Sequence, residues 1–187
     1  GAFAQGQATF GTKTLPPSPT NPNWAVPYVA KLDPSGNHVW AVGGGTDSAE
    51  PWAIAVDGQG ASYVTGACAT CSFGATTLKS YGLRDIFVAK LDAQGAWSKV
   101  VSAGGSLDDE SSGIAIHGAG NALVAGSVMF DPYDLTGRGT NTDKLTFSGQ
   151  QYTLTGRPHL FVWNVLASAL CAAFVLLAFL AARLVAT

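Results

Sequence analysis

Charged residues make up only 12% of this 187-residue chain, about half the share usual in soluble domains. Set beside 47% apolar residues, that deficit excludes an intrinsically disordered chain, which needs the opposite balance. Neither sign of charge dominates. The formal net charge is −2 and the pI near 5.8, so there is no basic footprint for nucleic acid. Of the three histidines, His38, His117 and His159, none has a spaced partner of the kind that metal binding or nucleophilic catalysis requires. Cysteine is scarce as well: three residues, with no second CxxC or paired histidine to complete a zinc site. No cofactor is expected. Glycine is missing from the last 31 residues, although the chain holds 23, all at or before Gly156. The chain therefore divides into a Gly-rich part, 1–157, and a Gly-free apolar tail, 158–187.

The tail contains LFVWNVLASALCAAFVLLAFLAA (160–182), 23 residues without a charge. As a helix rising about 1.5 Å per residue it would be roughly 34 Å long, enough to cross a ~30 Å hydrocarbon core. Pro158 suits a first helical turn. Trp163 and Arg183 would anchor the two interfaces. Ser168/Ala172, Ala169/Ala173 and Ala178/Ala182 follow the small-xxx-small spacing that lets a second helix approach closely in lipid. Cys171 would sit inside the span as a small apolar residue. The alternative is a buried core helix of a soluble protein. Flanking charge does not fix the orientation, since Lys144 and Arg157 precede the run and Arg183 follows it. Gly1 in place of an initiating methionine is compatible with a cleaved leader or with a fragment.

The Gly-rich part repeats itself. At an offset of 60, AVGGGTDSAEPWAIAVDGQGASYVTGA (41–67) matches VSAGGSLDDESSGIAIHGAGNALVAGS (101–127) at Gly44/Gly104, Glu50/Glu110, Ile54/Ile114, Gly60/Gly120, Val64/Val124 and Gly66/Gly126, among others. YVAKLDPSG (28–36) matches FVAKLDAQG (87–95) at an offset of 59. A period of that length points to stacked or radially arranged units. Within a unit, short strand-like segments at 28–32 and 87–91 lead into Asp-x-x-Gly turns, followed by segments at 38–42 and 97–102. Segments 52–56 and 62–65 flank Asp57-Gly58-Gln59-Gly60 as a hairpin, which 114–116 and 123–125 repeat around Gly118 and Gly120. A further strand near 71–73 makes four or five per unit, the number in a propeller blade.

The strings FVAKLDAQG, SAGGSLDDESSGIAI and VDGQGASYVTG resemble the SBBP-type bacterial β-propeller repeat, and matching pieces cover most of 1–127. The resemblance implies short antiparallel strands in blades and an exported or cell-surface setting, and it brings no catalytic residues. The chain departs from a whole number of repeats. GAFAQGQATFGTKTL (1–15) corresponds to GACATCSFGATTL (66–78), so the chain starts partway through a unit. LTFSGQQYTLTGRPHLFVWNV (145–165) corresponds to the same segment, with Leu160-Phe161-Val162 where Ile86-Phe87-Val88 stand. The alternative for the tail is therefore a strand ending at 158–164 and a helix beginning near Val165, which still leaves 18 uncharged residues to Ala182. An insertion rich in Asp, Gly, Thr and Asn occupies about 131–144. The total is about two and a half units, too few to close a ring.

Single features remain. Cys68 and Cys71 are candidates for a short-loop disulfide in an exported domain, or are two free thiols. Asp108-Asp109-Glu110 reads as a solvated acidic loop without EF-hand spacing. Asp57-Gly58-Gln59-Gly60 and Asp33-Pro34-Ser35-Gly36 hint at calcium, yet Asx-type turns account for them. The stretch 15–27 holds five of the nine prolines and reads as a stiff loop or a strap over a neighbour. The sequence thus predicts a mainly β fold, of antiparallel propeller-like blades forming an incomplete propeller or open β-stack, plus one C-terminal transmembrane α-helix. The expected function is a non-enzymatic, single-span accessory subunit of a larger bacterial membrane complex, a respiratory or photosynthetic one being a natural host. Its partners would be integral-membrane subunits and the bilayer, with the β-domain periplasmic or extracellular and the C-terminus cytoplasmic. The alternative is a membrane-anchored surface protein that binds glycan or protein, cut from a longer propeller.

Overall fold

The computed structural model describes residues 1–3, 6–18, 21, 23–44, 49–117, 120–129, 142–147, 150–155, 160–165 and 172–176. It is mainly β, with every strand pair antiparallel and no closed barrel among the described residues. The first five strands are β1 (Ala2–Phe3), β2 (Ala8–Phe10), β3 (Lys13–Leu15), β4 (Val26–Leu32) and β5 (His38–Gly43). Next come β6 (Glu50–Val56), β7 (Ser62–Cys68), β8 (Thr70–Phe73), β9 (Thr76–Lys79), β10 (Asp85–Leu91) and β11 (Trp97–Gly104). The remainder are β12 (Asp109–His117), β13 (Asn121–Val128), β14 (Thr142–Phe147), β15 (Gln150–Thr155), β16 (Leu160–Val165) and β17 (Ala172–Leu176).

The same meander recurs. β6, β7, β10 and β11 are neighbours in one sheet, as are β12, β13, β16 and β17 in another, while β1, β4 and β5 form a shorter version without a first strand. A hairpin interrupts each meander at the same place, β2–β3, β8–β9 and β14–β15, and the last of these pairs with β11 so that six strands share the second sheet. Pairing register matches the sequence offset. Gly66 faces Phe87 across β7 and β10, and Gly126 faces Phe161 across β13 and β16. The ladder slips at Pro51/Ala53 in β6 and at Ser111/Gly113 in β12, and again at Lys31/Leu32 in β4 and Lys90/Leu91 in β10. Such slips are β-bulges, which set local twist.

Three of the turns share one chemistry. Oδ1 of Asp33 accepts the N–H groups of Ser35 and Asn37, at 2.9 and 2.8 Å. Asp57 does the same with Gln59 and Ala61, and Asp92 with Gln94 and Ala96. Each turn closes through a glycine in left-handed backbone: Gly36 at φ 83°, Gly60 at 84° and Gly95 at 87°. One carboxylate oxygen so replaces the partners that a tight bend takes from the ladder.

The main core lies between the first two meanders. Phe73, Phe87, Ala89, Leu91 and Val64 pack with Val29 of β4, and Trp40, Val42 and Trp97 close the margins. The Phe73 ring meets Phe87 at 4.8 Å and Trp97 at 4.9 Å between centroids. Two indole N–H groups cross this boundary in opposite senses, Trp40 to the Ala93 carbonyl and Trp97 to that of Gly43, each at 3.1 Å. A smaller cluster joins the second and third meanders, where Ile114 and Ile116 lie on Ala61, Tyr63 and Ala122.

In the tail Leu160–Val165 follows the strand alternative, while Ala172–Leu176 departs from the expected helix. Instead of one helix through 160–182, residues Leu160–Val165 and Ala172–Leu176 are strands β16 and β17. β13 offers an open edge in the register that β7 offers β10, and LFVWNV is rich in the β-branched and aromatic residues that fill such an edge. Trp163 therefore stands between Val124 and Phe174 across two ladders, and Ala172 and Ala173 face Val165 and Asn164. Ser168, Ala169, Cys171, Ala178, Ala182 and Arg183 lie outside the described residues, as does most of the insertion 131–144. No helix among the described residues is long and apolar enough to cross a membrane.

The close approach at Gly66 gives a direct test. A Cβ there would run into the Glu50 carbonyl and lie 2.9 Å from the Phe87 ring, whereas one at Gly58 would meet nothing within 4 Å. Gly66→Ala should cost at least about 2 kcal/mol in urea unfolding, because backbone rather than a flexible side chain blocks the site. Gly58→Ala should leave the midpoint nearly unchanged.

Candidate functional site

Of the residues singled out from the sequence, the cysteines are brought together. Cys68 ends β7 and Cys71 lies in β8, both buried, and their sulfurs form a disulfide with the Cα atoms 6.1 Å apart. The bond sits in the main core beside Phe73 and Phe87. The histidines stay apart. His38 is exposed on β5 against the edge of Phe10, with 6.1 Å between ring centroids, and His117 is exposed at the end of β12. His159 lies outside the described residues.

The aspartates of the turns are occupied by their own loops. The Asn37 side chain and N–H hold the Asp33 carboxyl below the ordinary carboxylate range. At Asp57 burial opposes ionisation, but the N–H groups of Ala61 and Gln59, the Lys90 ammonium and the Tyr63 hydroxyl outweigh it, so its pKa is also lowered. These oxygens are already satisfied as Asx turns.

The acidic run departs from its expected solvated loop. Asp109 is fully buried at the start of β12, where Oδ2 accepts the Gly105 N–H at 2.6 Å and Oδ1 the Met129 N–H at 3.1 Å. Its carboxylate therefore ties the β11–β12 connection to the end of β13. Nothing in a run of three acids marks which one turns inward.

Asp85, unremarked in the sequence, lies next to it. The space left by the missing side chain of Gly104 is bordered by the carboxyls of both Asp85 and Asp109. Asp85 Oδ2 accepts the Tyr81 N–H at 2.8 Å, while its buried Oδ1 has no partner. Burial pushes its pKa up to about 6, the Tyr81 hydrogen bond only partly opposing it. Arg84 Nη2 approaches Glu50 Oε2 at 3.0 Å but off hydrogen-bonding alignment, so this half-exposed pair is a weak Coulombic contact.

A groove of about 450 Å³ lies between β4 and β6. Tyr28, Val29 and Leu32 supply one wall, Trp52 and Ile54 the other, and Val64 the floor. Beside it, Trp52, Ile54 and Val56 are 51%, 54% and 59% exposed. A spacing of two residues along β6 puts these three on one face, and among the described residues nothing covers it.

Comparison of the chain with protein-family models and with curated proteins finds no match.

Two measurements check this geometry. Alkylation of the denatured, unreduced protein should add one adduct, at Cys171, and three after reduction, read by intact mass. The second concerns Asp85. The folded protein keeps its proton to about pH 6 and the unfolded chain loses it near 3.8. Between those values the native state binds more protons, so stability falls as pH rises from about 4 to 6, by up to about 3 kcal/mol, and levels off above. Asp85→Asn should flatten that slope in urea titrations across this range.

Proposed function

We propose that this chain is a non-enzymatic interaction protein: a set of propeller-like β-blades of the SBBP-repeat type, held at a bacterial membrane by its apolar tail, that caps the extracytoplasmic face of a larger membrane complex. The observation that carries the interaction role is the exposed row Trp52, Ile54 and Val56 beside the unfilled groove along β4. Apolar area of this kind, flanked by a sheet edge, is characteristic of a surface completed by another protein. The membrane role rests on the sequence, namely the uncharged run 160–182. Trp163 and Arg183 are its proposed interface anchors, and Ser168, Ala169, Ala172, Ala173, Ala178 and Ala182 its packing face. β16 and β17 occupy parts of that run, so attachment and completion of the third sheet compete for the same residues. In an exported domain the Cys68–Cys71 bond would be stable.

Gentle solubilisation of source membranes, native electrophoresis and mass spectrometry of what co-migrates test the reading. Stoichiometric company with integral-membrane subunits is expected, and replacing Ala169 and Ala173 by Leu should weaken it. Release of the protein from membranes by alkaline wash would refute the membrane role. Migration alone, in detergent, would favour the second reading, a surface protein that binds glycan or protein.

A further inference from the structure

The boundary between the second and third meanders carries oxygen where the boundary before it carries hydrocarbon. At the offsets of 59 and 60, Asp85 stands where Val26 does, Asp109 where Ala49 does and Ser111 where Pro51 does. Val26 and Ala49 are buried, so the first boundary closes those places with apolar side chains. Asp85 and Ser111 are buried as deeply, at 2% and 3% exposure, and Asp109 completely. The fold therefore does not require polar groups here, and burying them costs free energy unless something answers them.

The answer within the chain is incomplete. Asp85 accepts the Tyr81 N–H on Oδ2, and its Oδ1 is buried without a partner. That oxygen is aimed at Gly104: a Cβ there would run into Asp85 Oδ1 and lie 2.8 Å from Asp109 Oδ2, so the two carboxylates converge on one point. Asp109 accepts the Gly105 and Met129 N–H groups, and a carboxylate has lone pairs for a cation besides such bonds. Among the described residues, the other buried side-chain oxygen without a hydrogen-bond partner is Ser111 Oγ. Ser111 lies two residues from Asp109 on one face of β12, opposite Gly126 and Val128 of β13. Ile114, opposite Val124, continues that face, which packs on Tyr63 and Ala61 of the second meander. No basic side chain neutralises the group from the Asp85 side: Arg84 Nη2 turns to Glu50 Oε2, and no ion pair with Asp85 forms among the described residues.

We propose that Asp85, Asp109 and Ser111 form a calcium-binding seat between the second and third meanders. The donor set is oxygen alone, two carboxylates and a hydroxyl, without the nitrogen or sulfur ligands that transition metals favour. Calcium accepts irregular geometry and completes its shell with water or backbone carbonyls, whereas magnesium demands a near-ideal octahedron. An ion there joins the first residue of β10 to the start of β12, and so clamps one repeat unit to the next. Because the ligands come from two units, no loop motif marks the seat in the sequence. The inference goes beyond the interaction role above and does not depend on it.

The test uses the purified full chain in detergent at neutral pH, stripped with a chelator and titrated with calcium chloride. Calorimetry should show saturable binding of one ion per chain, with a Kd of about 10⁻⁴–10⁻³ M, the range of extracellular calcium modules. Calcium should also raise the urea midpoint, and magnesium at the same concentration should raise it much less. Asp85→Asn should abolish both responses, and Ser111→Ala, which removes one neutral ligand, should weaken binding by about tenfold. Asp33→Asn, at an exposed turn carboxylate, should leave both unchanged. Absence of saturable binding overturns the proposal. So does binding that persists in Asp85→Asn or is lost in Asp33→Asn, either of which puts the ion elsewhere, and so does a magnesium shift equal to that of calcium. If Asp85→Asn does not fold, undiminished affinity in folded Ser111→Ala overturns the proposal by itself.

Discussion

No sheet in this chain can bury both of its faces by itself. Among the described residues the covered apolar faces meet the meander before them, Val64 and Phe87 packing on Val29 and Trp40, and Ile114 and Ile116 on Tyr63 and Ala61. Loops, bulges and interrupting hairpins serve that stacking. The bulges recur at matching positions of β6 and β12, Pro51/Ala53 and Ser111/Gly113, where they set the local twist of each first strand. Stability in such an arrangement is a sum over neighbouring pairs, and the terminal faces are left as interfaces.

The buried carboxyls fit the same economy. Asp85 and Asp109 stand where the connection out of β11 turns into β12, and they hold backbone N–H groups of Tyr81, Gly105 and Met129 that no ladder reaches. Asp109 spends both oxygens in this way. Asp85 uses one, and the unpartnered other is why the low-dielectric surroundings favour its neutral form.

Much of the fold was legible because its signals are local. The Asp-x-x-Gly turns and the offsets of 59 and 60 have counterparts in the glycine turns and in the matching register of β7–β10 and β13–β16. What could not be read depends on which side a residue faces. Asp109 and Glu110 are adjacent acids, one wholly buried and one not. Trp52, Ile54 and Val56 read in the sequence like any inward strand face, yet all three are exposed among the described residues. The tail shows a different ambiguity. A strand and a helix both accept LFVWNV, and the choice at Leu160–Val165 follows from the edge of β13 and not from local propensity.

The two indole bonds have a mechanical consequence. Trp40 and Trp97 reach across one boundary from opposite sides, so sliding the first meander past the second by one strand spacing, about 4.8 Å, severs both together. At the following boundary the Tyr63 hydroxyl donates to the Gly120 carbonyl at 3.0 Å, the Asp109 N–H to the Arg84 carbonyl at 2.7 Å, and β14 pairs with β11. Sliding there must break backbone as well as side-chain bonds, so the third meander is held to the second by main chain that a single side-chain substitution leaves in place.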